Sequence, residues 1–186
     1  MTCIAAIVEN GVVHMAADSA GVGGLGLHVR RDRKIHRIGD MLIGFTSSFR
    51  MGQLIGYSLA PPLHDPKITT DRYMVTVFVD ALRHVLKAGG YARVENNTET
   101  GGRFLVGYRG RLFIVDSDFQ VGESVWPFGS VGCGDDLAKG ALFATRNLGM
   151  TPAQRLAGAL EAAEEFSAGV RGPWVMETLQ AHEVTT

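Results

Sequence analysis

Cysteine is scarce in this chain: Cys3 and Cys133 are the two among 186 residues. They form neither a C-x-x-C pair nor a framework of bridges. That excludes a disulfide-built secreted scaffold and makes a reducing compartment, the cytoplasm, the expectation. No apolar run approaches the ~20 residues a membrane-spanning helix needs, so no membrane association is expected. The first residues carry no basic cluster and reach Glu9 and Asn10 early, which argues against a secretory signal. An excess of charge of one sign is also missing. The formal net charge is −1, so no global field draws the protein to nucleic acid or anionic lipid. The six histidines (His14, His28, His36, His64, His84, His182) show no H-E-x-x-H or zinc spacing. There is no Walker loop and no G-x-S-x-G elbow. Neither a catalytic metal nor an organic cofactor is expected.

The residues that are present describe a folded globule. Hydrophobic residues make up 46% of the chain, too many for a disordered one. The length suits a single domain over residues 1–186, because two halves would each bury too little surface. The run 2–8 (TCIAAIV) is apolar on both alternations and predicts a strand covered on both faces. Asn-Gly at 10–11 joins it to VVHMAA (12–17) as a hairpin. Residues 34–38 and 41–46 flank Gly39-Asp40 as a second hairpin. Helical patterns cover 48–60, stopped by Pro61-Pro62, and 71–88, where Met74, Val77, Phe78, Ala81, Leu82, Val85 and Leu86 share one stripe. The segment 90–102 is polar and glycine-containing and reads as a loop. Strand character returns over 103–108, 111–115 and around 124–132, with Arg109-Gly110 as a turn. A helix capped by Asp135 is expected to about Leu148, and Thr151-Pro152-x-Gln154 starts another. Residues 173–182 read as a closing strand. That order implies antiparallel sheets layered with helices, an α+β architecture.

The stretch 21–37 (GVGGLGLHVRRDRKIHR) contains a literal G-x-G-x-x-G at Gly21, Gly23 and Gly26. A dinucleotide fingerprint requires a helix opening directly on the glycines to receive the pyrophosphate. Residues 27–38 have no helical apolar stripe, so a flexible glycine loop between strands is the better reading. The basic residues Arg30, Arg31, Arg33, Lys34 and Arg37 are broken by Asp32 and lack interleaved aromatics. They read as a solvated edge and not as a nucleic-acid surface. Asp135 and Asp136 are explained by helix capping without a metal.

One constellation goes further. Thr2 begins the first strand, MAADS ends the second at Asp18 and Ser19, and Lys34 lies beyond the glycine stretch. In these spacings the chain resembles the proteasome β-subunit and HslV family of N-terminal-threonine peptidases. IGFTSSFRMGQ is similar to the family's strand-to-helix segment, with Ser47 where a glycine usually supplies the oxyanion-binding N–H. SVGCGDDLAKGAL is similar to its V-G-S-G turn, with Cys133 at the serine. EEFSAG is similar to D-x-x-S-G-G, with Glu164 and Ser167 at the Asp and Ser positions. The resemblance runs along nearly the whole chain. It implies the four-layer αββα sandwich of N-terminal-nucleophile hydrolases, polypeptide as substrate, self-assembly into rings and an unfoldase ATPase as partner.

The chemistry it implies is physically coherent. A threonine hydroxyl needs a base, and an α-amine with a pKa of about 8 is partly uncharged near neutrality. Met1 precedes a small residue and is expected to be trimmed, freeing that amine on Thr2. Thr2 then supplies nucleophile and base, Lys34 held by Asp18 favours the alkoxide, and the Ser47 N–H receives the oxyanion. Cys133, Glu164 and Ser167 would orient the amine and relay protons, while Thr46 and Arg50 would line the substrate pocket. Two other readings stay open: an amidase of the same class acting on a small amide, and a non-catalytic ring subunit.

Overall fold

The computed structural model describes residues 1–91, 93–95 and 98–181. Its strands in chain order are β1 (Cys3–Glu9), β2 (Val12–Ala17), β3 (Ala20–Gly23), β4 (Gly26–Val29), β5 (Ile35–Ile38) and β6 (Met41–Phe45). Helix α1 (Phe49–Ser58) comes next. A second helical run joins α2 (Thr70–Tyr73), a π-helical turn (Met74–Phe78) and α3 (Val79–Ala88). Then come β7 (Arg93–Glu95), β8 (Thr98–Thr100), β9 (Phe104–Tyr108), β10 (Arg111–Val115), β11 (Val121–Glu123) and β12 (Phe128–Gly132). Helices α4 (Asp135–Ala144) and α5 (Pro152–Phe166) precede β13 (Val175–Gln180).

Two antiparallel sheets stack face to face. One has the order β12-β1-β2-β13 and the other β11-β10-β9-β6-β5. The period-two alternation of β1 assigns its residues to two cores. Ile4 and Ala6 point between the sheets with Met15, Leu42 and Leu105. Cys3, Ala5 and Ile7 point outward, under Leu142 of α4 and Leu156 and Leu160 of α5. On the other side, Met41, Ile43 and Phe45 of β6 pack beneath Met51 and Ile55 of α1 and Leu82 and Leu86 of α3. The layers are therefore α-β-β-α. The sheets approach closely at Gly44 and Gly107, where a Cβ would sit 2.6 Å from Ile4 Cγ2 and 2.6 Å from Val13 Cγ1 respectively.

Local signals explain the turns. Asn10 and Gly11 both have positive φ (50° and 75°), the two-residue geometry that matches strand twist. Thr151 and Gln154 form a reciprocal capping box at α5, with N–H···O distances of 3.3 Å and 2.9 Å.

Several expectations are corrected. The glycine stretch is a β3–β4 hairpin turning at Gly24-Leu25, with Gly21 opposite His28, and not a loop. The segment read as a loop over 90–102 contains the β7–β8 pairing. Asp135 is the first residue of α4 and Gly134 occupies the cap. The Asp135 carboxylate pairs instead with Arg103 and Lys139 (3.3 and 3.4 Å). Helix α4 ends at Ala144, four residues before Leu148. The closing strand ends at Gln180, and His182, the last position expected in it, lies outside the described residues.

Candidate functional site

The site forms where β1 begins, β2 ends and β6 runs into α1. Strand β2 terminates at Ala17 opposite Ile4, so Asp18 falls beside Cys3. The Cys3 N–H donates to Asp18 Oδ1 (2.9 Å), and the Asp18 N–H donates to the Cys3 carbonyl (3.2 Å). Lys34, immediately before β5, extends inward. Its Nζ donates to the same Oδ1 at 2.7 Å, with side-chain exposures of 1% and 0% for Lys34 and Asp18. Asp18 Oδ2 accepts the N–H groups of Ala20 (2.9 Å) and Arg171 (3.4 Å). Four donors on one buried carboxylate hold its charge without solvent. Burial pushes the Lys34 ammonium below its ordinary value, and contact with Asp18 only partly restores it. Ile35 packs between the sheets, whereas Arg33 is exposed and pairs with Glu177 at 2.6 Å. The basic run therefore delivers one ammonium inward.

Thr2 is 5% exposed and reaches the floor of a 320 Å³ cleft. Its N–H donates to Cys133 Sγ (3.2 Å), the Cys133 thiol donates to the Thr2 carbonyl (3.4 Å), and the Ser167 hydroxyl donates to Cys133 Sγ (3.6 Å). Thr2, Cys133 and Ser167 thus form one polar chain. Met1 is attached: its carbonyl accepts the Thr2 hydroxyl at 2.5 Å. A Cβ on Gly169 would come within 2.5 Å of the Met1 Cβ and 2.6 Å of Cys133 Sγ, so only glycine leaves room for this seat.

Glu164 stands apart from that chain. Its Oε1 accepts the Gly172 N–H (3.3 Å) and pairs with the Arg171 guanidinium (3.3 Å). Residues 171–173 in turn bind the end of β2: the Arg171 carbonyl accepts the Ser19 N–H (2.8 Å), and the Pro173 carbonyl accepts the Ser19 hydroxyl (2.6 Å). Glu164 braces the segment that braces Asp18, and among the described residues its hydrogen bond and ion pair go to Gly172 and Arg171, not to Thr2.

Ser47 has φ +72°, in the left-handed region that favours glycine. The Ser48 N–H donates to the Thr46 carbonyl at 2.9 Å across it, a tight three-residue turn. Among the described residues the Ser47 N–H has no acceptor, and Ser47 lines the cleft. Thr46 and Arg50 do not line it. Thr46 is buried with its hydroxyl on the Arg103 carbonyl (3.0 Å), and Arg50 is exposed. Phe45 and Phe49 take those places.

Gly21, Val22 and Gly23 of the glycine stretch, expected to carry the chain around the rim of the site, complete the lining together with His28, Arg30 and Ser48, which were not legible in advance. The signal that would have found Arg30 is the hairpin register, which returns it to Ser19, whose carbonyl accepts the Arg30 N–H at 2.9 Å.

No protein-family model matches this chain, and no curated protein matches its sequence. Its architecture does match solved structures. BPH from Thiobacillus denitrificans, solved in complex with epoxomicin, superposes with a TM-score of 0.82 at 21% identity, over 98% of this chain and all of that one. HslV from Trypanosoma brucei gives 0.69 at 18% identity, over 96% of this chain and 99% of that one. Anbu from Yersinia bercovieri gives 0.68 at 14% identity, over 96% and 82%. The chain has the αββα fold of the proteasome- and HslV-like N-terminal-nucleophile hydrolases.

Proposed function

We propose that the protein is a threonine-type endopeptidase that hydrolyses unfolded polypeptides after Met1 is removed. One observation carries the reading. A fully buried lysine–aspartate pair is tied through the Cys3 N–H to the start of β1, directly after Thr2, and Thr2 opens into a cleft. A desolvated ion pair is a weak source of stability, so its presence here favours a chemical role.

Removal of Met1 converts the Thr2 nitrogen from an amide into an amine. That amine accepts the Thr2 hydroxyl proton as Oγ1 attacks the scissile carbonyl. The oxyanion forms against the Ser47 N–H, and the Lys34 ammonium stabilises negative charge on the attacking oxygen from below. Collapse expels the leaving amine, which takes the proton from the Thr2 ammonium. Water, deprotonated by the same amine, then cleaves the ester and restores the threonine. Cys133 orients the amine through the contact its Sγ now makes to the Thr2 nitrogen, and Ser167 acts through its own contact to that sulfur. Glu164 acts at one remove, through residues 171–172. By the same resemblance we propose assembly into rings in the cytoplasm, with an unfoldase ATPase as partner. Among the described residues no helix is long and apolar enough to cross a membrane.

The test is the mass of the purified N-terminus together with peptide hydrolysis. Loss of Met1, turnover of unfolded polypeptide and its abolition in Thr2→Ala support the proposal. Retention of Met1 removes the base and leaves the non-catalytic ring subunit. Turnover of small amides alone would favour the amidase.

A further inference from the structure

The geometry points to Arg30 as a specificity-determining residue that selects an acidic side chain near the bond to be cut, an inference that rests on the peptidase reading above. Among the described residues lining the Thr2 cleft, Arg30 is the one side chain that carries a permanent charge, and none is a carboxylate. Three contacts hold its guanidinium in place. Its stem crosses Gly21, where a Cβ would lie 2.6 Å from Arg30 Cδ and 3.2 Å from Cγ. Its plane stacks on Phe49, with Cζ 3.9 Å from the ring centroid. Its Nε (3.1 Å) and Nη2 donate to Asp32 Oδ2, which occupies one edge of the fork. Among the described residues Nη1 has no acceptor. The side chain is 38% exposed, open to a ligand and to solvent.

Asp32 already holds one edge of the fork and opposes a second acid there, so the substrate carboxylate would have to take the Nη1 edge; the other neighbouring charges do not oppose it. Phe49 also carries the Lys34 Nζ at 5.7 Å, and Asp18, which neutralises Lys34, is itself fully buried. Beyond Phe45 and Phe49 lies a second cavity of 300 Å³, whose mouth carries Arg31 and Arg33 beside Asp32. A guanidinium fixed on two faces loses little entropy when it binds a carboxylate, and a planar fork matches carboxylate geometry. A glutamine of the same shape would forgo the charge, and a lysine would be repelled.

The experiment walks a single Glu, Gln or Lys through the three residues preceding the cut in otherwise identical fluorogenic peptides. It measures kcat/KM for wild type, Arg30→Gln and Arg30→Lys. In parallel, the Thr2→Ala protein is titrated with the same labelled peptides to read binding without turnover. Wild type is expected to prefer Glu over Gln by about tenfold at one position, the scale of one solvent-accessible charge-assisted hydrogen bond. That ratio should shrink with added salt. Arg30→Gln should bring the ratio close to one, and Arg30→Lys should retain part of it. Cleavage with no Glu preference at any position, or an unchanged ratio in Arg30→Gln, overturns the inference and leaves the peptidase reading standing. Selective binding of Glu peptides by the Thr2→Ala protein, with no turnover by wild type, sustains the inference and overturns the peptidase reading.

Discussion

Removing either member of the Lys34–Asp18 pair should be costly, and by different amounts. Lys34→Met leaves Asp18 charged and buried, but three backbone N–H groups, those of Cys3, Ala20 and Arg171, still reach its oxygens. The loss should therefore fall near the lower end of the 3–5 kcal/mol typical of a broken buried pair, about 3 kcal/mol. Asp18→Ala leaves Lys34 with the Phe49 ring at 5.7 Å as its remaining cation partner, and it strips an acceptor from all three N–H groups. That variant should cost about 5 kcal/mol, since unsatisfied buried donors add their own desolvation penalty. For a chain of this size each kcal/mol is worth about 2–4 °C in Tm. Lys34→Met is thus expected to lower Tm by about 6–12 °C and Asp18→Ala by about 10–20 °C. The double variant Asp18→Asn/Lys34→Met removes both charges and should regain most of the Lys34→Met loss while remaining inactive. Chemical denaturation monitored by circular dichroism, with peptide hydrolysis alongside, checks all three. A Lys34→Met loss below about 1 kcal/mol, or one exceeding that of Asp18→Ala, would refute the electrostatic reasoning.

Alkaline pH should destabilise the fold in a defined window. Burial pushes Cys3 from 9.0 up to about 12 and Tyr73 from 10.0 up to about 12. Their contribution is complete below pH 9 and is lost as pH rises towards 12, because the unfolded chain releases those protons first. Cys3→Ala should flatten the first part of that decline in a pH series of urea midpoints. Cys133→Ser keeps a polar partner for the Thr2 nitrogen, whereas Cys133→Ala removes it. Peptidase kcat should therefore fall several-fold further in the alanine variant, the scale of one hydrogen bond, and equal rates would deny Cys133 any orienting role. Ser47→Ala should keep activity within about twofold because a backbone N–H is the proposed donor. Ser47→Gly should be stabilising by up to ~1 kcal/mol through relief of the left-handed strain, and abolition of activity in Ser47→Ala would shift the role to the hydroxyl.

The layering and most of the site are local properties of this sequence. Apolar residues on both alternations of β1 demand cover on two faces, and Asn10-Gly11 and Thr151-x-x-Gln154 encode their turn and cap in backbone preference. Thr2, Asp18 and Lys34 are legible through the spacing in which the chain resembles the proteasome β-subunit and HslV family; the Asn10-Gly11 hairpin explains why Asp18 falls beside Cys3, while Lys34 lies outside that hairpin. The features that folding alone decided depend on long-range approach. Asp135 lost the cap to Gly134 because Arg103 and Lys139 claimed its carboxylate. Thr46 turned to the Arg103 carbonyl, so the cleft is walled by Phe45 and Phe49 instead. Arg30 became part of the cleft because Gly21 offers no Cβ and Phe49, nineteen positions on, offers a ring face. Spacing along a chain records which residues share a face, whereas which neighbour a long polar side chain chooses is set by partners that only tertiary packing brings within reach.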